Sequence, residues 1–175
     1  MKLKNLGTGD NGKSCFGKKW AKKTCPEIEA LGALDELNSL LGLVRNQKIP
    51  KEFKSILLEV QQDLFVIQAF VAGVLFGKKY AGLKAEKIAE MEKIIKKYSA
   101  RSGGIKTFIV PGGNKASAWL DYSRAVARRA ERRVLSVKRA DRNSLVYLNR
   151  LSSLLFVMAR VCANKKGKKE PAPAY

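Results

Sequence analysis

Two stretches of this sequence carry residue types that suit an anionic ligand. The first is Gly7-Thr8-Gly9-Asp10-Asn11-Gly12-Lys13-Ser14. Glycine-rich backbone offers N–H groups to phosphate oxygens, and the Lys and Ser side chains add donors. Lys18, Lys19, Lys22 and Lys23 follow closely, and any of them beside such a loop is a candidate phosphate contact. The second stretch runs from Asp121 to Arg133. Helix residues turn by about 100° each, so Arg124, Arg128, Glu131 and Arg132 share one arc. Leu120, Ala127, Ala130, Val134 and Val137 fall on the arc beside it. Such a helix packs one stripe into a core and presents fixed guanidinium forks, which match phosphates and carboxylates, on the other.

Residues 7–14 also match the phosphate-loop pattern GxxxxGK[ST]. That pattern works when an apolar strand enters it and a helix leaves it. Met1 to Leu6 is too polar for the strand, Gly17 and Pro26 interrupt the helix, and no later βαβ units follow. The reading is therefore a phosphate site on a different scaffold. Asp35, an acid among apolar neighbours, is either a surface carboxylate or an arginine's partner. Phe108 is by default a core aromatic. Asn149, beside a leucine stripe, is either buried and paired or at the edge of a site.

The elements that position these groups are helical. Pro26 suits a first turn, and Glu27 to Gln47 reads as a helix with Leu34, Leu37, Leu41 and Val44 buried. Asp35 and Asn38, one turn apart, share a face. A second helix runs from Pro50 to about Phe76, and its second half is apolar almost all round, which places it centrally. Weaker periodicity covers Leu83 to Tyr98, with Ile88, Met91, Ile94 and Ile95 inward. Lys106 to Val110 is a short extended run, and Pro111-Gly112-Gly113 a turn. The arginine helix spans Lys115 to Lys138. Asn143 is a candidate cap for a last helix, Ser144 to Ala163, with Leu148, Leu151, Leu155, Met158 and Cys162 inward. The fold class is all-α: a five-helix bundle with an N-terminal glycine-rich loop or arm. Residues 1–164 form one domain, and 165–175 form a basic, mobile tail.

Composition bounds the chemistry. The chain has 35 Lys and Arg against 15 Asp and Glu, a formal charge of +20, which favours anionic partners without choosing among them. It contains no histidine, so a Ser-His-Asp triad, a Cys-His pair and His-ligated metal are excluded. Three cysteines without a CxxC, and no apolar leader, point to a reducing cytoplasm. No apolar run suggests a membrane span.

Four stretches, in order, resemble the PduO-type ATP:cob(I)alamin adenosyltransferases. Gly9-Asp10-Asn11-Gly12-Lys13-Ser14 is similar to that family's T-x-x-G-D-x-G-x-[ST] loop. Gly32 with Asp35-Glu36-Leu37-Asn38-Ser39 resembles its G-x-x-D-E-L-N-S helix. Phe108-Ile109-Val110-Pro111-Gly112-Gly113 resembles its F-I-x-P-G-G turn. Arg124-x-x-x-Arg128-Arg129-Ala130-Glu131-Arg132 and Asn149-Arg150-Leu151-Ser152 resemble its arginine helix and N-R-L-S segment. The sequence departs from the pattern at Leu6, Asp121 (usually His) and Ser153.

The resemblance implies a cobalamin-adenosyltransferase-like (ferritin-like) bundle assembled as a homotrimer, with active sites between subunits. It implies transfer of the 5′-deoxyadenosyl group of ATP to cobalt of cob(I)alamin, releasing tripolyphosphate. Gly7, Thr8, Gly9, Asp10, Gly12, Ser14, Lys23, Arg128, Arg129, Glu131, Arg132 and Asn149 would hold ATP, with Glu131 beside its magnesium. Asp35 and Arg124 would pair across the interface and, with Phe108, form the cobalamin side. Asp35, Arg124 and Arg128 are the expected catalytic set. A reductase or a cobalamin-dependent acceptor enzyme is a further partner, while membrane and nucleic acid are not expected. Two rival readings are a basic helical nucleic-acid-binding protein and another ATP-using phosphotransferase.

Overall fold

A computed structural model describes residues 7–16, 19–102, 108–164 and 170–174. Among these are two strands, β1 (Lys13–Phe16) and β2 (Lys19–Lys22), and five helices. The helices are α1 (Pro26–Arg45), α2 (Lys51–Phe76), α3 (Ala85–Ser99), α4 (Lys115–Leu135) and α5 (Arg142–Ala163). All five expected helices are present, with ends displaced by a few residues.

The most extensive packing runs α2–α1–α4–α5–α3, and α2 closes the bundle against α3 through the Phe53–Tyr98 ring contact. The inward residues predicted for α1, α4 and α5 are all buried, from Leu34, Leu37, Leu41 and Val44 through Leu120, Ala127, Ala130 and Val134 to Leu148, Leu151, Leu155, Met158 and Cys162. Between α2 and α5, the buried Tyr147 hydroxyl donates to Asp63 Oδ2 at 2.7 Å. Burial, and then the Asp63 charge, push the Tyr147 phenol well above its ordinary range.

Several expectations are corrected. α2 is not central: it packs on α1 and meets α3 and α5, but Leu58, Phe65 and Val66 are exposed. Its apolar character therefore has no partner on that side among the described residues. Asp35 and Asn38 do not share an environment, since Asp35 is exposed and Asn38 is buried. Asn143 is not the cap of α5; Asp141 caps it, accepting from Ser144 N at 2.9 Å, while Asn143 Nδ2 donates to Leu83 O. The extended run falls partly outside the described residues, and 108–110 form no strand. By length and composition α2 and α5 could each cross a membrane, contrary to the reading of the apolar runs; 61% of the α5 stretch is buried in the bundle.

The arm before α1 is more regular than a loop. β1 and β2 pair antiparallel, with Lys13 opposite Lys22 and Cys15 opposite Trp20. Lys19 turns from this hairpin and donates through Nζ to Phe76 O at 2.7 Å, at the C-terminal end of α2. A cation there meets the negative end of the helix dipole and satisfies a terminal carbonyl. α4 begins with reciprocal capping: Asn114 Oδ1 accepts from Ser117 N, and Ser117 Oγ accepts from Asn114 N, each at 3.0 Å. Asn114 Nδ2 also donates to Cys162 O at 2.8 Å, which fixes the start of α4 against the end of α5.

Candidate active site

The glycine loop is a chain of tight turns. Gly7 and Gly12 have φ of +81° and +74°, a region that side chains disfavour. Asp10 N donates to Gly7 O, Gly12 N to Gly9 O, and Lys23 N to Gly12 O. The last bond brings the far end of the hairpin back to the loop. A Cβ on Gly9 would lie 3.1 Å from Lys23 Nζ, so the bare glycine lets the ammonium approach the loop backbone. The loop leads into a strand rather than a helix, which removes the orthodox phosphate-loop arrangement.

Beside it lies a groove of about 310 Å³ between α1 and α4, lined by Lys23, Glu29, Glu36, Arg129 and Arg133 together with small residues of α1. Arg129 Nη2 stands 2.5 Å from Glu36 Oε1, and Arg133 Nη2 stands 3.7 Å from Glu29 Oε2. The hydrogen bond to Glu36 raises the Arg129 pKa further, so this guanidinium stays charged. Glu29, Glu36 and Arg133 were not singled out from sequence. Their signal was present: acids seven apart on α1 face arginines four apart on α4, one stripe of each sign.

The other edge of α4 carries the second group. Asn149 Nδ2 donates to Glu131 Oε1 at 3.1 Å, and Arg150 Nη1 donates to Asn149 Oδ1 at 3.0 Å. Arg150 Nε also reaches Glu92 Oε1 at 2.7 Å. This chain fixes the orientation of the Asn149 amide and ties Glu131 to α5. Arg128 and Arg132 are exposed, linked by an Arg132 Nη1 donation to Arg128 O. The predicted nucleotide residues are thus spread around α4 in one chain. The loop, Lys23 and Arg129 lie on the α1 side, Glu131 and Asn149 meet toward α5, and Arg128 and Arg132 are exposed on the surface of α4 between them.

Asp35 is exposed and makes no ion pair among the described residues. Arg124 is half-buried, and its Nε is buried without a hydrogen-bond partner. An unsatisfied buried N–H of this kind costs about 1–3 kcal/mol. Phe108 is 78% exposed, so it is not the core aromatic of the default reading. Asp121 forms a buried ion pair with Arg160 across α4 and α5. Burial raises its carboxyl pKa, and the Arg160 charge opposes that rise. No group of three metal-ligating side chains occurs among the described residues.

A glycine loop thus stands beside a groove bordered by cations on a five-helix bundle. The cobalamin adenosyltransferase family pattern matches residues 5–162, and the chain belongs to that family. It is 37% identical over 159 residues to a cobalamin adenosyltransferase of Cupriavidus metallidurans, covering 88% of this chain and 84% of the relative. It is 35% identical to a corrinoid adenosyltransferase of Bacillus subtilis, covering 91% and 86%. With the human corrinoid adenosyltransferase MMAB the identity is 36%, over 93% of this chain and 70% of the relative. Among solved structures, a Phe-to-Ala variant of the PduO-type ATP:corrinoid adenosyltransferase from Lactobacillus reuteri, complexed with cobalamin and ATP, superposes with a TM-score of 0.86 at 26% identity, covering 97% of both chains.

Proposed function

We propose that this chain transfers the 5′-deoxyadenosyl group of ATP to the cobalt of cob(I)alamin, giving adenosylcobalamin and tripolyphosphate. The carrying observation is a groove bordered by Lys23, Arg129 and Arg133 at a glycine loop, in a member of this family. The electron pair of Co(I) attacks the ribose C5′. The C5′–O bond breaks, and its electrons leave on the tripolyphosphate. Cobalt is the nucleophile, so the chain needs no activated Ser, Cys or His. The protein's work is to hold C5′ in line and to stabilise charge gathering on the leaving group. The glycine loop with Ser14, Lys23 and Arg129, and the Arg128, Arg132 and Asn149 set, supply the donors.

Magnesium is usually bound through one or two carboxylates plus substrate phosphates. Glu131, oriented by Asn149, fits that role. The metal would share neutralisation of the phosphates. Asp35, Arg124 and Phe108 form the corrinoid side. Phe108 is a bare apolar surface suited to the lower corrin face, where it excludes water from the axial position.

The active protein is a homotrimer with shared sites. Lys23 lines the α1 side of the groove while Asn149 and Glu131 meet toward α5, and in this reading the loop and Lys23 of one subunit work with Arg128, Arg132 and Asn149 of another. The free Asp35 and the unsatisfied Arg124 Nε are the matching halves of a pair between chains. Exposed Leu58, Phe65 and Val66 on α2 support association. Residues 1–164 form the adenosyltransferase domain. We place the enzyme in the cytoplasm, which a chain with three cysteines and no CxxC suits.

Protein incubated with ATP, magnesium and chemically reduced cobalamin should form a light-sensitive Co–C bond and release tripolyphosphate. Release of ADP instead would overturn the reading in favour of a phosphotransferase. Lys23→Ala and Arg128→Ala chains, each inactive alone, should regain part of the activity when co-expressed, because some mixed sites contain neither substitution. Absence of any recovery would reject the shared site.

A further inference from the structure

Among the described residues after α5, Glu170 and Pro171 meet the bundle. Arg160, in the last turn of α5, is 2% exposed and lies between two carboxylates, Asp121 of α4 and Glu170 beyond the helix. The Glu170 side chain is itself 4% exposed. Its other oxygen, Oε1, accepts from Gly113 N at 3.2 Å. One residue on, Pro171 O accepts from Val110 N at 2.9 Å. Both ends of the Val110–Gly113 turn are thus held by consecutive residues of the tail, so at these two residues the expected mobile tail is docked.

The turn is shaped for this contact. A Cβ on Gly113 would stand 2.8 Å from Glu170 Cγ and 2.9 Å from Oε1, so only glycine lets the carboxylate close down. Gly112, at φ +120°, provides the bend. The anchor is a buried cation that the tail partly neutralises. Glu170 is thus the second carboxylate, after Asp121, on the buried Arg160 guanidinium.

We propose that Glu170-Pro171 is a strap that fixes the Phe108–Gly113 turn, with Glu170 as the positioning residue for the corrinoid-facing Phe108. This rests on the assignment of Phe108 to the corrin. Glu170 touches no reacting atom. It acts by limiting where Phe108 can lie, and loss of such positioning costs up to about a hundredfold when the displacement reaches an ångström.

The test uses full-length Glu170→Ala and Glu170→Gln, with Gly113→Ala as a second way of lifting the strap. Removing Glu170 leaves Asp121 to pair Arg160 but takes one buried partner from that guanidinium, so a thermal melt accompanies each variant, and Gly113→Ala lifts the strap with the Asp121–Arg160 pair and Glu170 both retained. Amide hydrogen exchange at Val110 and Gly113 reads the strap directly. In Glu170→Ala both amides should exchange faster, the cobalamin KM should rise about tenfold or more, and the ATP KM should not move. Glu170→Gln, which keeps an acceptor for Gly113 N, should recover part of both effects. Unchanged exchange at both amides would overturn the inference. So would faster exchange with a normal cobalamin KM in a protein whose Phe108→Ala variant is impaired. If Phe108→Ala itself behaves as the parent, the corrin assignment fails, and the exchange data alone then decide whether the strap exists.

Discussion

Arg128→Ala separates function from folding more sharply than any other substitution in this chain. Its neighbours Arg129 and Arg133 already face Glu36 and Glu29, and Arg132 donates to a main-chain carbonyl. Arg128 is exposed, lies off the buried stripe of α4, and makes no ion pair among the described residues. Alanine is at least as good a helix former as arginine, so stability should change by no more than about 0.5 kcal/mol. If the guanidinium meets the leaving tripolyphosphate, its loss removes one preorganised charged donor. Such a donor is worth about 2.7–4 kcal/mol, or 10²–10³ in kcat. The assay is anaerobic formation of the Co–C bond, followed by absorbance at saturating ATP and cobalamin, with a thermal melt of the same sample. Turnover equal to the parent's would refute the assignment. A large fall in melting temperature would show instead that Arg128 supports the fold.

Three further outcomes are expected. Phe108→Ala should leave ATP binding unchanged and slow the reaction started from Co(II) with a weak reductant; a normal rate under those conditions removes Phe108 from the corrin. Tyr98 and Tyr147 are pushed above the ordinary tyrosine range, mainly by burial, so the folded state holds their protons longer than the unfolded chain does. Their contribution to stability is therefore complete below about pH 10 and is lost at higher pH. An ultraviolet titration should show Tyr147 ionising only as the protein unfolds. Asn114→Ala removes the α4 cap and the bond to Cys162 O, and should cost about 1–2 kcal/mol, read as a melting temperature several degrees lower.

The helices were legible because each buries a stripe at helical spacing, and the stripes of α1, α4 and α5 were predicted residue by residue. The placement of α2 was not, because an apolar surface looks the same whether the same chain or another one covers it. Of the site, the glycine loop and the arginines could be read as phosphate chemistry from residue type alone. Their spread around α4 could not, because Arg128 and Arg129 are neighbours in sequence and only packing decides what each one faces. The hairpin was missed because Lys13 to Lys22 has too few apolar residues for alternation to show. The Asp121–Arg160–Glu170 cluster was missed because its members lie on three separate segments.

The pairing of Arg129 with Glu36 and of Arg133 with Glu29 bears on how strongly ionic strength should affect nucleotide capture. A bare arginine exchanges small mobile anions for phosphate, and dissolved salt competes directly with that exchange. Here each guanidinium already has a tethered carboxylate, and an exposed pair of this kind is worth only about 0–1 kcal/mol. Phosphates binding there, as proposed, would displace protein acids at small cost, and those acids would not drift away. Added salt weakens the glutamate's hold as well as the nucleotide's, so the KM for ATP should depend less steeply on salt than the number of nearby cations suggests.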